Sequence, residues 1–348
     1  MLTEPTPSQQ RLLGANQEVT ELWSSTRRPA FREVLPGGRL VPLAQGPSSR
    51  RQGGEPSTLG IPPKISGPWA YDLGRTVMQR LRVEPRLDGV AVTSRLTAAA
   101  RALETERDGG LISDPLARAL AGPEGFELLR RGAMGTVAAN GSPSYVLRHR
   151  FFDDLLMDLT ASSHIRQVVL LAAALDTRAF RLNWADGTRL FEIDQPAVFA
   201  HKEAVLEAHG SMARCERVVV RADLREDWPR ALLAGGLDPG RPSVWVAEGL
   251  LFYLPQGAVD RLLGGTYRLS APGSCLAADM MSATRGPPQR FNDFFASLGA
   301  PFLFVTDDPA GLMRKHGWDA TETSYEDAAR LVGTEIAAKG VIAIGRRR

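Results

Sequence analysis

Four acidic residues stand where short apolar runs end: Asp176 after Val168–Leu171, Asp194 after Leu190–Ile193, Asp223 after Arg217–Arg221 and Glu248 after Val244–Ala247. Before the first of them lie three small residues, Ala172, Ala173 and Ala174. Carboxylates at such places accept hydrogen bonds from ribose hydroxyls or a base amino group, and small residues let a ligand approach the backbone. No lysine and no Gly-rich phosphate turn accompanies them, so a P-loop is absent. The G-x-G-x-x-G fingerprint is absent as well, which counts against a nicotinamide-dependent oxidoreductase. An acidic crevice with small residues suits a ligand that carries a ribose, an adenine and a positive charge. S-adenosyl-L-methionine has all three, its positive charge lying on a sulfonium and an ammonium group.

The elements that must position these residues follow from the hydrophobic pattern. Val168–Leu171 is a continuous apolar run, as expected of a strand buried on both faces, and Leu190–Ile193 is a second apolar run. Arg217–Arg221, Val244–Ala247, Cys275–Met280 and Val341–Ile344 continue the series. Helices are expected over Leu96–Glu106 and Phe151–Leu159, and after the proline signals Asp114-Pro115, Gln195-Pro196, Leu254-Pro255 and Asp308-Pro309. The helix from Pro196 should stop at Gly210, and the one from Pro309 at Gly317. Strands alternating with helices predict an α/β fold, a doubly wound and mostly parallel sheet with extra helices at the N-terminal side. In such a sheet the ligand lies over the carboxyl ends of the strands, where the four acids stand.

Bulk composition removes other classes. With 43% hydrophobic and 23% charged residues in 348, the chain is ordinary for a globular protein. No apolar run is long enough to span a bilayer, and the N-terminus lacks a signal-peptide pattern. Two cysteines, Cys215 and Cys275, have no zinc spacing, no metal ligand set is expected, and a reduced, cytoplasmic setting is. The sequence pI of about 9.1 comes from residues 1–80, which hold ten of 42 basic and six of 39 acidic residues. The remaining 32 basic and 33 acidic residues leave no electrostatic footprint for nucleic acid. Residues 1–80 also hold ten of the 24 prolines and are expected to be a disordered leader, with the catalytic domain over 81–348.

VVLLAAALDTRAFRL, FEIDQP, RADLREDW and AEGLLFYL, with RLTAAARALETE and YVLRHRFFDDLL before them, resemble the leucine carboxyl methyltransferase family in its bacterial branch. The resemblance runs from about Asp88 to the C-terminus. It implies a class I, Rossmann-like methyltransferase that uses S-adenosyl-L-methionine. It further implies that Asp194 holds the ribose hydroxyls and that Asp223 and Leu224 flank the adenine. Arg148 would pair with the methionine carboxylate, Glu248 would lie near the ammonium group, and Ala172 would sit in the turn under the ligand.

One departure bears on activity. The family motif has glycine where this chain has Ala174 and commonly where it has Ala172. If the turn needs φ > 0, each alanine costs about 1–2 kcal/mol. An impaired or inactive methyltransferase-fold binding protein is therefore the alternative to an active enzyme. Asp194, just before Gln195-Pro196, could instead serve the next helix as a cap. His149 and His201 are expected to be structural, and Phe252 and Tyr253 to pack or to line a pocket. No residue stands out as a general base, which favours an acceptor that is already deprotonated, such as a carboxylate on a small molecule or peptide.

Overall fold

The computed structural model describes residues 89–132, 144–282, 284, 289–335 and 340–348. The expected leader, residues 1–80, lies outside them. Three helices precede the sheet: α1 (Gly89–Glu106), α2 (Ala117–Gly132) and α3 (Ser144–Ser162). β1 (Gln167–Leu171), α4 (Arg178–Arg181), β2 (Arg189–Asp194), α5 (Pro196–Ala208) and β3 (Glu216–Arg221) follow. After α6 (Trp228–Ala234) come β4 (Ser243–Ala247), α7 (Gln256–Arg268), β5 (Cys275–Met280) and α8 (Gln289–Ser297). The chain closes with α9 (Pro309–Lys315), β6 (Asp319–Ser324), α10 (Tyr325–Leu331) and β7 (Val341–Arg346).

The seven strands lie in the order β3-β2-β1-β4-β5-β7-β6, with β1 to β5 parallel and β7 antiparallel to both its neighbours. The expected doubly wound sheet and the helices before it are thus present. Register explains why the central runs are apolar throughout. Val169 pairs with Phe191 and Trp245, and all three point into one core. Val168 pairs with Leu190 and Val244, and these point into the core on the opposite face. Both faces are covered, so every residue of β1 and β4 is buried. Burying such side chains contributes about 1.5–3 kcal/mol each.

The helix signals behaved as local chemistry dictates. Asp308 caps α9 by accepting from Gly311 N at 2.7 Å, and Gly210 and Gly317 follow α5 and α9 at φ 57° and 93°. Asp114 differs: α2 begins at Ala117, and the Asp114 carboxylate is drawn away to Arg101 and Thr177. No helix of the described residues is long and apolar enough to cross a membrane.

Chain order places the site. From β1 the chain winds outward through β2 to β3, then returns to lay β4 on the other side of β1. The crossovers therefore part between β1 and β4, and a crevice opens at their carboxyl ends.

Candidate functional site

An open cleft occupies that place. Its floor is the turn after β1 and the end of β4, with Ala172, Ala173 and Ala174 on one side and Glu248 on the other. Its wall comes from α1 and α3, through Arg101, Tyr145 and Arg148. Of the residues expected from sequence, Arg148, Ala172 and Glu248 line this cleft. Asp194, Asp223 and Leu224 are not part of the lining; they stand further along the same row of strand ends, after β2 and β3.

The turn is strained. Ala172 and Ala174 adopt φ of 52° and 48°, the left-handed region, so the condition set by the sequence holds at both positions. Each costs about 1–2 kcal/mol relative to glycine. Backbone bonds run from Ala173 N to Ile193 O at 3.0 Å and from Asp176 N to Ala173 O at 2.9 Å. Asp194 completes the hold: Oδ2 accepts from Ala174 N and Oδ1 from Gln195 N, both at 2.7 Å. It does not cap α5, whose first turn is preceded by Gln195 without a side-chain cap bond. Burial raises the Asp194 carboxyl despite those two donors. Asp223 is held by Arg225, whose guanidinium lies 2.5 Å from Oδ2 and lowers its pKa.

Behind the cleft lies a buried charge network. α3 carries His149 and Asp153 one turn apart, on one face. Arg178, 1% exposed, gives Nε to Asp153, Nη1 to Asp176 and Nη2 to Glu248 at 2.6–2.7 Å. Arg181 binds Asp153 and donates to His149 Nε2, both at 2.7 Å. With Nε2 accepting, the proton belongs on Nδ1, which faces Glu248 Oε1 at 3.1 Å. Burial and then Arg178 lower the His149 pKa, so the ring is neutral. Burial alone would raise the Glu248 carboxyl, but Arg178, His149 and Arg148 together hold it well below the usual range. His149, Asp176 and Glu248 approach one another closely enough to suggest a metal site. The Arg178 guanidinium already serves both carboxylates, Nη1 donating to Asp176 and Nη2 to Glu248.

Arg148 gives Nε to Glu248 at 3.3 Å and Nη1 to Asp279 at 2.9 Å. Asp279 also accepts from Gly249 N at 2.6 Å and from the Tyr325 hydroxyl at 3.2 Å. Gly249 is required where it stands: its φ is 66°, and a Cβ there would lie 2.9 Å from Arg148 Nη2. Sequence reading missed Asp279, although a lone carboxylate inside the apolar run CLAADM was a signal. It also placed His149 among purely structural residues, whereas the ring faces Glu248 and lines the cleft. His201 is structural, bonded to Leu120 O and Arg95. Phe252 and Tyr253 pack with Phe302, ring centroids 4.7–5.6 Å apart.

A class I methyltransferase fold, with an acidic crevice at the β1/β4 parting, agrees with the relatives of this chain. The sequence profile described as leucine carboxyl methyltransferase matches residues 94–266. A Streptomyces avermitilis protein named as an S-adenosyl-L-methionine-dependent methyltransferase is 44% identical over 268 residues, covering 73% of this chain and 91% of its own. A Frankia alni protein named in the same way is 42% identical over 266 residues, covering 72% and 90%. Among solved structures, a Thermobifida fusca protein named as a methyltransferase superposes with a TM-score of 0.51 at 20% identity, over 75% of this chain and 95% of that one. The chain belongs to the leucine carboxyl methyltransferase family. It is an S-adenosyl-L-methionine-dependent methyltransferase.

Proposed function

We propose that the enzyme methylates a carboxylate on a small molecule or peptide. The observation that carries this reading is that no group lining the cleft, among the described residues, is placed to take a proton. Both nitrogens of His149 are engaged, and Arg178 holds Asp176 and Glu248. Hydroxyl and amine acceptors need a general base, whereas a carboxylate is ionised at neutral pH. Catalysis would then rest on holding the acceptor about 3 Å from the methyl carbon, in line with the leaving sulfur.

The donor set supports S-adenosyl-L-methionine in this cleft. Counting its carboxylates as ionised, the network of Arg148, Arg178, Arg181, Asp153, Asp176, Glu248 and Asp279 carries one net negative charge. The cofactor, with sulfonium, ammonium and carboxylate, carries one net positive charge. When bound, it supplies an electrophilic methyl group on sulfur. Arg148 would pair with its carboxylate and Glu248 with its ammonium, Ala172 lying under that end. Each Asp194 oxygen accepts one backbone bond, which leaves a lone pair on each for a ribose hydroxyl. Asp223 would accept from the adenine amine and Leu224 pack on the ring. The catalytic domain would begin after residue 80, and a cytoplasmic setting suits the two unpaired cysteines.

Methyl-labelled cofactor, the purified protein and a metabolite extract test the acceptor class. Carboxyl methyl esters release volatile methanol under mild base, while methyl ethers and methylamines do not. Base-labile label in the product is the expected result. Base-stable label would contradict the carboxylate assignment.

A further inference from the structure

The alanine turn raises a question that the cleft itself answers. Two alternate positions, Ala172 and Ala174, sit in a backbone region that alanine resists and glycine accepts. Something other than local preference must hold them there. Asp194 grips the turn from β2 through Ala174 N. On the opposite side Arg101, 6% exposed on α1, donates Nη2 to Leu175 O at 2.6 Å. Its Nε donates to Asp114 Oδ2 at 2.9 Å, and the Thr177 hydroxyl donates to that same oxygen at 2.7 Å. Arg101 and Asp114 thus straddle residues 175–177, the far limb of the turn.

We infer that Arg101 is a positioning residue for the cofactor: it clamps the strained turn from α1 so that Ala172 and Ala174 present their backbone to the ligand. The inference rests on the reading that this cleft holds S-adenosyl-L-methionine. It makes the need for Arg101 depend on the residue type in the turn. Where the turn is alanine, loss of the clamp lets the backbone relax out of the left-handed region. Where it is glycine, that conformation persists unaided.

A double-mutant cycle measures this dependence. Arg101→Lys retains a charge beside Asp114 but has a single ammonium, which cannot reproduce the forked reach to both Asp114 and Leu175 O. S-adenosyl-L-methionine affinity is measured by calorimetry for the wild type, for Arg101→Lys, for Ala172→Gly with Ala174→Gly, and for all three together. Crowding of the ligand by alanine methyl groups is common to both members of each pair and cancels. Arg101→Lys is expected to weaken binding about tenfold in the alanine turn and less than about twofold in the glycine turn. Equal weakening in both turns overturns the clamp while leaving the cofactor site in place. No change in any variant overturns the clamp and the cofactor site together. If Arg101→Lys fails to fold, Arg101→Met with Asp114→Asn, which removes both charges, replaces it in the same cycle.

Discussion

Two buried charge clusters flank β2, and only one of them belongs to a site. The first is the network around Arg178, at the carboxyl ends of β1, β4 and β5. The second lies mid-strand, where Glu192 accepts from Lys202 at 2.6 Å and from Arg217 at 2.7 Å, with Arg217 reaching on to Glu203. Lys202 and Glu192 are both 0% exposed, so the heart of the second cluster is as deeply buried as that of the first, although Glu203 at its edge is 38% exposed. It is the less well satisfied, because Glu192 Oε1 and Arg217 Nε lack hydrogen-bond partners among the described residues. Burial of ions therefore does not mark a functional site here. Position on the sheet does: the first cluster opens into a cleft where the crossovers part, and the second is sealed between β2, β3 and α5.

Substitutions can break or sharpen that contrast. The largest effect is expected from Arg178→Met, which leaves Asp176 without its cation and takes one donor each from Asp153 and Glu248. Removing one partner of a buried ion pair costs about 3–5 kcal/mol, so the melting temperature should fall steeply and cofactor binding should be lost. Glu248→Gln should cost about 1.5–3 kcal/mol at neutral pH, the value of a charge-assisted bond. Its folded pKa lies below the unfolded one, so its contribution is present above about pH 5 and is lost as pH falls through the folded value. Urea midpoints of wild type and Glu248→Gln should therefore begin to converge below about pH 4.5 and go on converging as pH falls further. A gap that stays constant would show that Glu248 is not held ionised by Arg178.

The sealed cluster should respond differently. Glu192→Gln with Lys202→Met replaces one buried pair and should shift stability by about 1 kcal/mol in either direction. Cofactor affinity should stay within about twofold, and a larger loss in calorimetry would erase the distinction between the clusters. The smallest effect is expected from the leader. A protein beginning at Met78 should keep the melting temperature and cofactor affinity of the full chain, and unfolding or aggregation would make residues 1–77 structural.

What was legible in the sequence follows from these physical differences. β1, β2, β4 and β5 were plain because strands covered on both faces are written as largely apolar runs, broken only by Glu192 in β2 and Asp279 in β5. β3, at the sheet edge, still carries the run VVV. β6, DATETS, was missed because it is an edge strand whose burial alternates with exposed polar residues. α8 was missed as well: Phe291 and Phe295 bury one face of QRFNDFFAS, with Phe294 partly buried beside them, and most of the other residues are polar. α10 begins directly at Ser324, where β6 ends, so no loop signal separates them. Strand-end acids could be found by position, since the sheet dictates where strands end. Their partners could not, because Arg178 meets Glu248, and Arg148 and Tyr325 meet Asp279, across 46–131 residues of chain through the fold alone.

The central claim is that the crevice at the ends of β1, β2 and β4 holds S-adenosyl-L-methionine, with Asp194 on its ribose. Calorimetric titration of Asp194→Ala with the cofactor tests it most directly. Loss of two hydroxyl contacts should weaken binding about tenfold to a hundredfold, and loss of the bonds that Asp194 accepts from Ala174 N and Gln195 N should also lower the melting temperature without cofactor. Affinity equal to that of the wild type would contradict the assignment.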